Sequence, residues 1–321
     1  MLGIIVYNVY SKKRATVSED EIQILEDEKT TAKTIDNYYR ILVPVANPNN
    51  ALSLVKTTYK ISNARKVEIN LLHMVKVPDQ VPLSDAERYM LEGKEAIIEI
   101  MLYLAPLFPV NSTIRYCRNI ARGIISAIRE KRANMLIMGW HGEIRNREYS
   151  LGSTLDPVIE RSPCDVVILK DCGNLNAKRI LVPIAGGSNC VLALEMAYIL
   201  AEDENSEIVA FNVTNGKHLS DISAIIESVK RNNNIPAGKI EIKIKRHSNV
   251  IETILEEAKE YDLVVVGATE QSIINQFFNP SIPELLAERC KKPFVMVKAG
   301  SGIRSWLKWW VQKIDFSVLK R

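Results

Sequence analysis

The residues with the clearest chemical promise are Gly139-Trp140-His141-Gly142, followed after nine residues by Gly152-Ser153-Thr154. Glycine lets a backbone approach an anion closely and take positive φ. An apolar run, residues 134–138, precedes Gly139 and reads as a strand, and Ser153 and Thr154 open a helical pattern. A helix start offers unpaired N–H groups and a positive dipole end, so this loop suits a phosphate, with the two hydroxyls as further donors. The competing reading is local: Ser153 caps the helix, and Asp156 three residues on completes a capping box. His141 is a candidate general base, but no orienting carboxylate stands near it in sequence, which favours a ligand contact or a structural residue. No catalytic residue is assigned. The five cysteines are scattered and never form C-x-x-C pairs, and the four histidines lack zinc spacing. Free thiols in a reducing compartment and no metal site are expected.

The elements that must position this loop come from an internal repeat. Arg40-Ile-Leu-Val-Pro-Val45 recurs as Arg179-Ile-Leu-Val-Pro-Ile184. Each copy is a short apolar run with β-branched residues, followed by a turn and a helical pattern. Later segments correspond as well: 67–77 with 207–214, 112–118 with 239–245, 134–138 with 262–266, and 165–170 with 294–298. Each half therefore reads β-α-β-α-β-α-β-α-β. Apolar strands without alternation, separated by helices, predict two tandem α/β domains with doubly wound, Rossmann-like parallel sheets. Ligands of such sheets bind at the carboxyl ends of the strands. The domains are placed at 40–171 and 179–298.

G-x-x-G, nine residues, then G-[S/T], after a strand and before the last helix, resembles the nucleotide-binding motif of universal stress proteins. The Ile-Leu-Val-Pro start, Leu71-Leu72-His73-Met74 and Ser162-Pro-Cys-Asp-Val-Val-Ile-Leu169 are similar to that family too. The resemblance covers roughly residues 40–298 and is closer in the first repeat. It implies an adenine nucleotide, ATP or AMP with or without Mg²⁺, in a regulatory module rather than an enzyme. It also implies pairing through the last strand, as a homodimer or as an intramolecular domain pair. Carried over by position, Gly139, His141, Gly142, Gly152, Ser153 and Thr154 would surround the phosphates and ribose, with Pro44 and Met74 bordering the adenine. The family's aspartate after the first strand is here Ala46, with Asn47 next, and a lost charged acceptor costs about 1.5–3 kcal/mol. In the second repeat Gly267 survives, but Glu270 and Pro280 replace the later glycines and Ala185 again replaces the aspartate. A carboxylate repels phosphate and proline lacks an N–H, so that site reads as dead for ATP. Ala185-Gly-Gly-Ser-Asn189 reads as a plain turn.

Charge and the chain ends narrow the partners. The formal net charge is +4, yet residues 1–298 hold equal numbers of basic and acidic groups, so the excess sits in the tail. A neutral body argues against a nucleic-acid partner. Residues 1–10 are apolar and Lys12-Lys13-Arg14 follow, the order in which a span leaves the membrane on its cytoplasmic side. Residues 1–39 are read as the stub of such a span and a polar linker. Residues 299–321 hold three of the four tryptophans, with Ile303, Trp306, Leu307 and Trp310 on one helical face and lysines elsewhere, as suits a membrane interface. Together the ends resemble the cytoplasmic part of an amino-acid permease of the APC type. The expected place is the cytoplasm, at a transporter or the inner face of a membrane. The alternative is a nucleotide-free assembly module.

Overall fold

The structure, a computed structural model, describes residues 22–29, 38–46, 54–58, 60–61, 67–82, 97–98, 101–102, 106, 110–140, 151–170, 177–201, 205–214, 222–233, 235–236, 238–269 and 281–300. The apolar stub, the Trp-rich tail, Asn47, His141, Gly142, Glu270 and Pro280 lie outside them. An edge strand, β1 (Ile22–Lys29), comes first. The first repeat then gives β2 (Tyr39–Pro44), β3 (Val67–Lys76), β4 (Val110–Cys117), α1 (Ile120–Glu130), β5 (Met135–Trp140), α2 (Leu155–Arg161) and β6 (Asp165–Lys170). The second gives β7 (Arg179–Pro183), α3 (Ser188–Leu200), β8 (Glu207–Thr214), α4 (Ile222–Asn233), β9 (Ile240–Arg246), α5 (Val250–Ala258), β10 (Leu263–Gly267), α6 (Ile282–Arg289) and β11 (Phe294–Lys298). Residues 54–58 and 60–61 are also helical.

All eleven strands join one sheet, in the order β1-β4-β3-β2-β5-β6-β11-β10-β7-β8-β9. Within each repeat the strands are parallel, and the winding reverses beside the first strand, at β2/β5 and again at β7/β10. This is the doubly wound topology the repeat pattern predicts. The halves fuse through their last strands: β6 and β11 run antiparallel, from Val166 opposite Lys298 to Lys170 opposite Phe294. Ile168 opposite Met296 marks the centre of that pairing, and the two residues hold corresponding places in their repeats. The intramolecular pairing anticipated from the last strands is therefore present.

Residues 22–29 fall in the segment read as a linker, but they form β1, antiparallel to β4 with an irregularity between Ile24 and Glu26. The acids at 26–28 argued for a solvated linker, whereas the unpaired outer edge of β4 supplies a hydrogen-bonding template that local sequence does not reveal.

Two apolar layers cover the sheet, and each runs through both repeats. Ile41, Val43, Ile69 and Leu71 share one layer with Ile180, Val182 and α3, while Leu42, Leu72 and α1 share the other with Leu181, Phe211 and α5. Helix α1 shows how sequence sets this. Its buried residues Ala121, Ile124, Ile125 and Ile128 recur at one-turn spacing, each isoleucine contributing about 1.5–3 kcal/mol. Asn119 caps it by accepting from Arg122 N at 3.0 Å, and Asn249 caps α5 the same way through Glu252 N at 3.2 Å.

Cys117, Cys164, Cys190 and Cys290 are buried thiols. Burial pushes Cys164 up to about 12 and Cys117 up to about 11, from an ordinary 9.0. The folded state thus keeps protons that the unfolded chain has lost, so this stabilisation is complete below about pH 9 and fades as pH rises toward the folded values. Lys298 acts oppositely: burial lowers its pKa, so the penalty for holding its charge is relieved as pH rises. A tenfold change in an acid's dissociation constant on folding is worth ~1.4 kcal/mol. Cys164→Ala is expected to cost stability at neutral pH and to recover it relative to the parent by about pH 11, as read by urea titration at several pH values. A Cys164→Ala cost that stays the same at all pH values would contradict the burial argument.

Candidate functional site

The site begins where β2 and β5 part. They pair only through Ile41 opposite Met135 and Leu42 opposite Leu136, whereas β2 stays paired with β3 as far as Pro44 opposite Leu72. The carboxyl ends of β2 and β5 therefore open a crevice at the topological switch point, where such sheets take ligands. Val45 N donates to Leu72 O at 2.8 Å and His73 Nδ1 lies 2.8 Å from Val45 O, so β3 holds the exit of β2. Ala46 follows, exposed.

On the other side of the crevice Gly139 is exposed, and a Cβ there would make only ordinary contact with Leu54, 3.6 Å away. Gly152 has φ +134°, a conformation that favours glycine, and among the described residues nothing lies within 4 Å of the place its Cβ would take. Thr154 is the N-cap of α2, yet its side chain makes no capping hydrogen bond. Asp156 Oδ1 instead accepts from Leu151 N at 3.0 Å, which fixes the turn before Ser153. The capping-box alternative is therefore not formed by Ser153. Its exposed hydroxyl and the half-buried Thr154 flank an open space beside Gly152.

Pro44 ends β2 at the crevice, half-buried. Met74, on the neighbouring strand β3, is half-buried and packs on α1, where a Cβ on Gly123 would collide with its terminal methyl. Pro44 and Gly139 thus stand toward the carboxyl ends of the two strands that part, Gly152, Ser153 and Thr154 lead into α2 in the connection from β5 to β6, and Met74 lies on β3 on the α1 side. Among the described residues no group of His, Cys, Asp and Glu could hold a metal ion.

The second repeat makes the same split, with β7 and β10 paired only at Ile180–Leu263 and Leu181–Val264. Here the crevice is tied shut. Asn189, in the first turn of α3, donates through Nδ2 to Ala268 O at 2.6 Å and accepts through Oδ1 from Ala299 N at 2.7 Å. Its backbone and Cβ lie so close to Gly267 that a Cβ there would fall 2.8–2.9 Å away. Gly186 and Gly187, at φ 115° and 89°, give the chain the turn that brings Asn189 across. In the sequence this stretch reads as a plain turn. Its signal was an asparagine one residue into a helix that starts beside the surviving Gly267. Asn189→Ala takes the side-chain partner from one buried backbone group, Ala268 O, and one half-buried group, Ala299 N, and is expected to cost about 2 kcal/mol in urea titration. A cost below about 0.5 kcal/mol, the level of surface substitutions, would show that the strap is idle.

Two lysines tie the repeats together behind the site. Lys170 Nζ donates to Ala287 O at 2.8 Å and Cys290 O at 3.0 Å, at the end of α6. Lys298 Nζ donates to Ile159 O and, at 3.2 Å, to Glu160 O, at the end of α2. Each charge meets the negative end of a helix from the other repeat. Lys170 Nζ also lies 5.5 Å from the centre of the Trp140 ring, so the residue that leads into His141 packs on a first-repeat lysine that is itself anchored to α6 of the second repeat. Asp156 and Glu284 occupy the first turns of α2 and α6 and are both buried. Burial pushes the Glu284 carboxyl up from its ordinary value, and the charge of Asp156 adds to this.

The model of the universal stress protein family matches residues 37–170 and again 176–298. The chain belongs to the universal stress protein family. Among solved structures it is similar to a universal stress protein of Archaeoglobus fulgidus, with a TM-score of 0.56 and 18% identity, covering 82% of this chain and 98% of that one. A Pseudomonas aeruginosa protein, a putative universal stress protein, gives a TM-score of 0.55 at 13% identity, over 82% and 94% of the two chains. Both likenesses concern the fold. A curated relative, the Na(+)/H(+) antiporter NhaS5 of Synechocystis, is 24% identical over 267 residues, or 80% of this chain. The match spans only 38% of the antiporter's length. Among the described residues no helix is long and apolar enough to cross a membrane.

Proposed function

We propose that this tandem universal stress module binds one adenine nucleotide, ATP or AMP, in its first repeat and passes the occupancy of that site to a membrane transporter. The observation that carries the reading is the asymmetry of two equivalent crevices. Among the described residues, the β2–β5 opening keeps Gly139, a space at Gly152 and a Thr154 cap without a side-chain hydrogen bond, whereas Asn189 straps the β7–β10 opening. In the first repeat Gly139, Gly152, Ser153 and Thr154 line the phosphate end and Pro44 borders the base. His141 and Gly142 belong to the same loop by sequence. A bound nucleotide brings phosphate charge and, with Mg²⁺, a counter-ion; the chain's own residues bind and orient it. Turnover is not expected, because phosphoryl transfer needs a positioned base and charge-stabilising groups, and this motif supplies neither. The transporter half of the reading is supported by the antiporter relative, whose matched stretch is a minor part of a longer protein, and by the apolar and basic order of residues 1–14. A place at the cytoplasmic face of a membrane follows from that reading.

Calorimetric titration of the full chain with ATP and with AMP tests the site. One nucleotide per chain is expected, and mass spectrometry of the purified protein should find an adenine nucleotide carried with it. Two equivalent sites would refute the asymmetry, and no binding of either nucleotide would leave the assembly-module reading in its place.

A further inference from the structure

The two ends of the sheet are finished differently. At the first repeat's end β1 covers β4, and β1 itself breaks register between Ile24 and Glu26 and carries Glu26, Asp27 and Glu28. Register breaks and charges are devices by which an edge strand avoids further pairing. At the other end β9 is the last strand, and it pairs with β8 without a break from Ile240 to Arg246. Among the described residues no strand lies on its outer side. His247 N donates to Thr214 O at 3.1 Å, and Thr214 stands in register with Arg246. Backbone direction alternates along a strand, so the odd-numbered residues of β9 turn their N–H and C=O toward β8, whereas Ile240, Ile242 and Ile244 turn theirs outward. The side chains alternate too. Ile240 is buried in the layer that contains α4, and Ile242 and Ile244, on the same face, are 40% and 50% exposed. Glu241 and Lys243 take the opposite face, where Lys243 Nζ meets Glu257 Oε1 of α5 at 2.5 Å.

We propose that β9 pairs with β9 of a second copy of this chain, antiparallel about a two-fold axis at Ile242, so that two eleven-stranded sheets become one. Outward backbone groups must meet outward groups, so such an axis passes through a residue rather than between two. At Ile242 it sets Ile240 opposite Ile244, Ile242 opposite Ile242 of the second copy, and Glu241 opposite Lys243. The isoleucine pairs then exchange backbone hydrogen bonds. Glu241 and Lys243 fall at the non-hydrogen-bonded position, where side chains stand closest. An ammonium has three N–H donors, so Lys243 keeps Glu257 while it meets Glu241 of the second copy. The other registers fit worse. An axis at Glu241 or at Lys243 puts a like-charged pair at the centre, and one at Ile244 sets Lys243 opposite Lys245. An axis at Ile240 leaves most of β9 beyond the overlap. The self-matching order of charges and isoleucines therefore selects a second copy and one register. Such a contact is isologous and closes at two chains. The molecule already joins equivalent strands in this manner, β6 with β11. The inference is independent of nucleotide binding.

Sedimentation velocity of the full chain over a concentration series should find a dimer. Ile242→Pro removes an outward N–H and leaves the ladder to β8 intact, because an edge strand tolerates proline on its free side. It should make the chain monomeric with its thermal transition kept. Glu241→Lys and Lys243→Glu each set like charges opposite one another and should weaken the dimer about tenfold or more. Mixing these two variants should restore association as a heterodimer, since the lysines of one chain then face the acids of the other. A parent that stays monomeric at about 100 μM overturns the proposal. So does a dimer that keeps its affinity in Ile242→Pro, or a pair of charge variants that fails to associate on mixing. Amides of Ile242 and Ile244 that resist hydrogen exchange in a monomer would show that the chain covers its own edge, and this outcome overturns it as well.

Discussion

Gly152→Val should abolish adenine-nucleotide binding while the eleven-stranded sheet stays folded. Gly152 sits at φ +134°, and a valine there is strained by about 1–3 kcal/mol even though no described residue lies within 4 Å of its Cβ. That space is where the proposed phosphate comes closest to the backbone. Filling it removes the approach as well as the turn, and an affinity loss of about a hundredfold, ~3 kcal/mol, is the expected reading in calorimetry. Gly238 supplies the control. It too has positive φ, +84°, with nothing within 4 Å of a Cβ, but it lies in the second repeat before β9. Gly238→Val carries comparable backbone strain and should bind nucleotide like the parent. If both variants bind normally, the phosphate does not rest on Gly152. If both lose binding together with their thermal transition, the loss is one of folding. The reverse experiment is Ala46→Asp, which restores an acidic acceptor at an exposed position beyond β2 and should tighten binding about tenfold. Unchanged affinity would place the nucleoside elsewhere than beside β2.

The strands and their winding were legible because each apolar run recurs in a second copy, and periodicity needs only local sequence. The switch-point crevice followed from that winding. Three features were not legible, each for its own reason. β1 was hidden because its acids resemble a solvated linker and its stability comes from a non-local edge. Asn189 was hidden because one asparagine after two glycines signals a turn, and its partners, Ala268 and Ala299, are 79 and 110 residues away. The crossed lysines were hidden because strand-ending lysines are usually solvated. Here a signal did exist: Leu169-Lys170 and Val297-Lys298 close the last strand of both repeats, and a charge kept at the same place in two copies points to a shared task.

Lys170→Ala should be the most costly single substitution at the junction of the repeats, and it should also weaken the nucleotide site. Lys170 is 7% exposed, and its ammonium serves two carbonyls at the end of α6 and the face of Trp140. Removing it leaves Ala287 O and Cys290 O without this donor and opens a cavity beneath the ring, for a combined cost of about 2–4 kcal/mol. Lys298, though bonded in the same crossed manner, is only half-buried, so water can replace part of what Lys298→Ala removes and its cost should be smaller. Lys170→Met separates the contributions: it restores the stem and the packing but not the charge, so it should recover the cavity's share and leave the carbonyls unserved. Urea titration reads these differences, and a Lys170→Ala cost within about 0.5 kcal/mol of zero would remove the clamp from the account. The binding effect follows from Trp140, which leads directly into His141 and Gly142. Once the ring loses the ammonium above it, the start of the loop loses its link, through Lys170, to α6 of the second repeat. Nucleotide affinity should then fall several-fold in Lys170→Ala, and less in Lys298→Ala, whose contacts lie at the far end of α2. A change in affinity that tracks stability equally in both variants would mean general loosening. A change confined to Lys170 would make the strand junction the route by which the second repeat, with its closed crevice, acts on the open one.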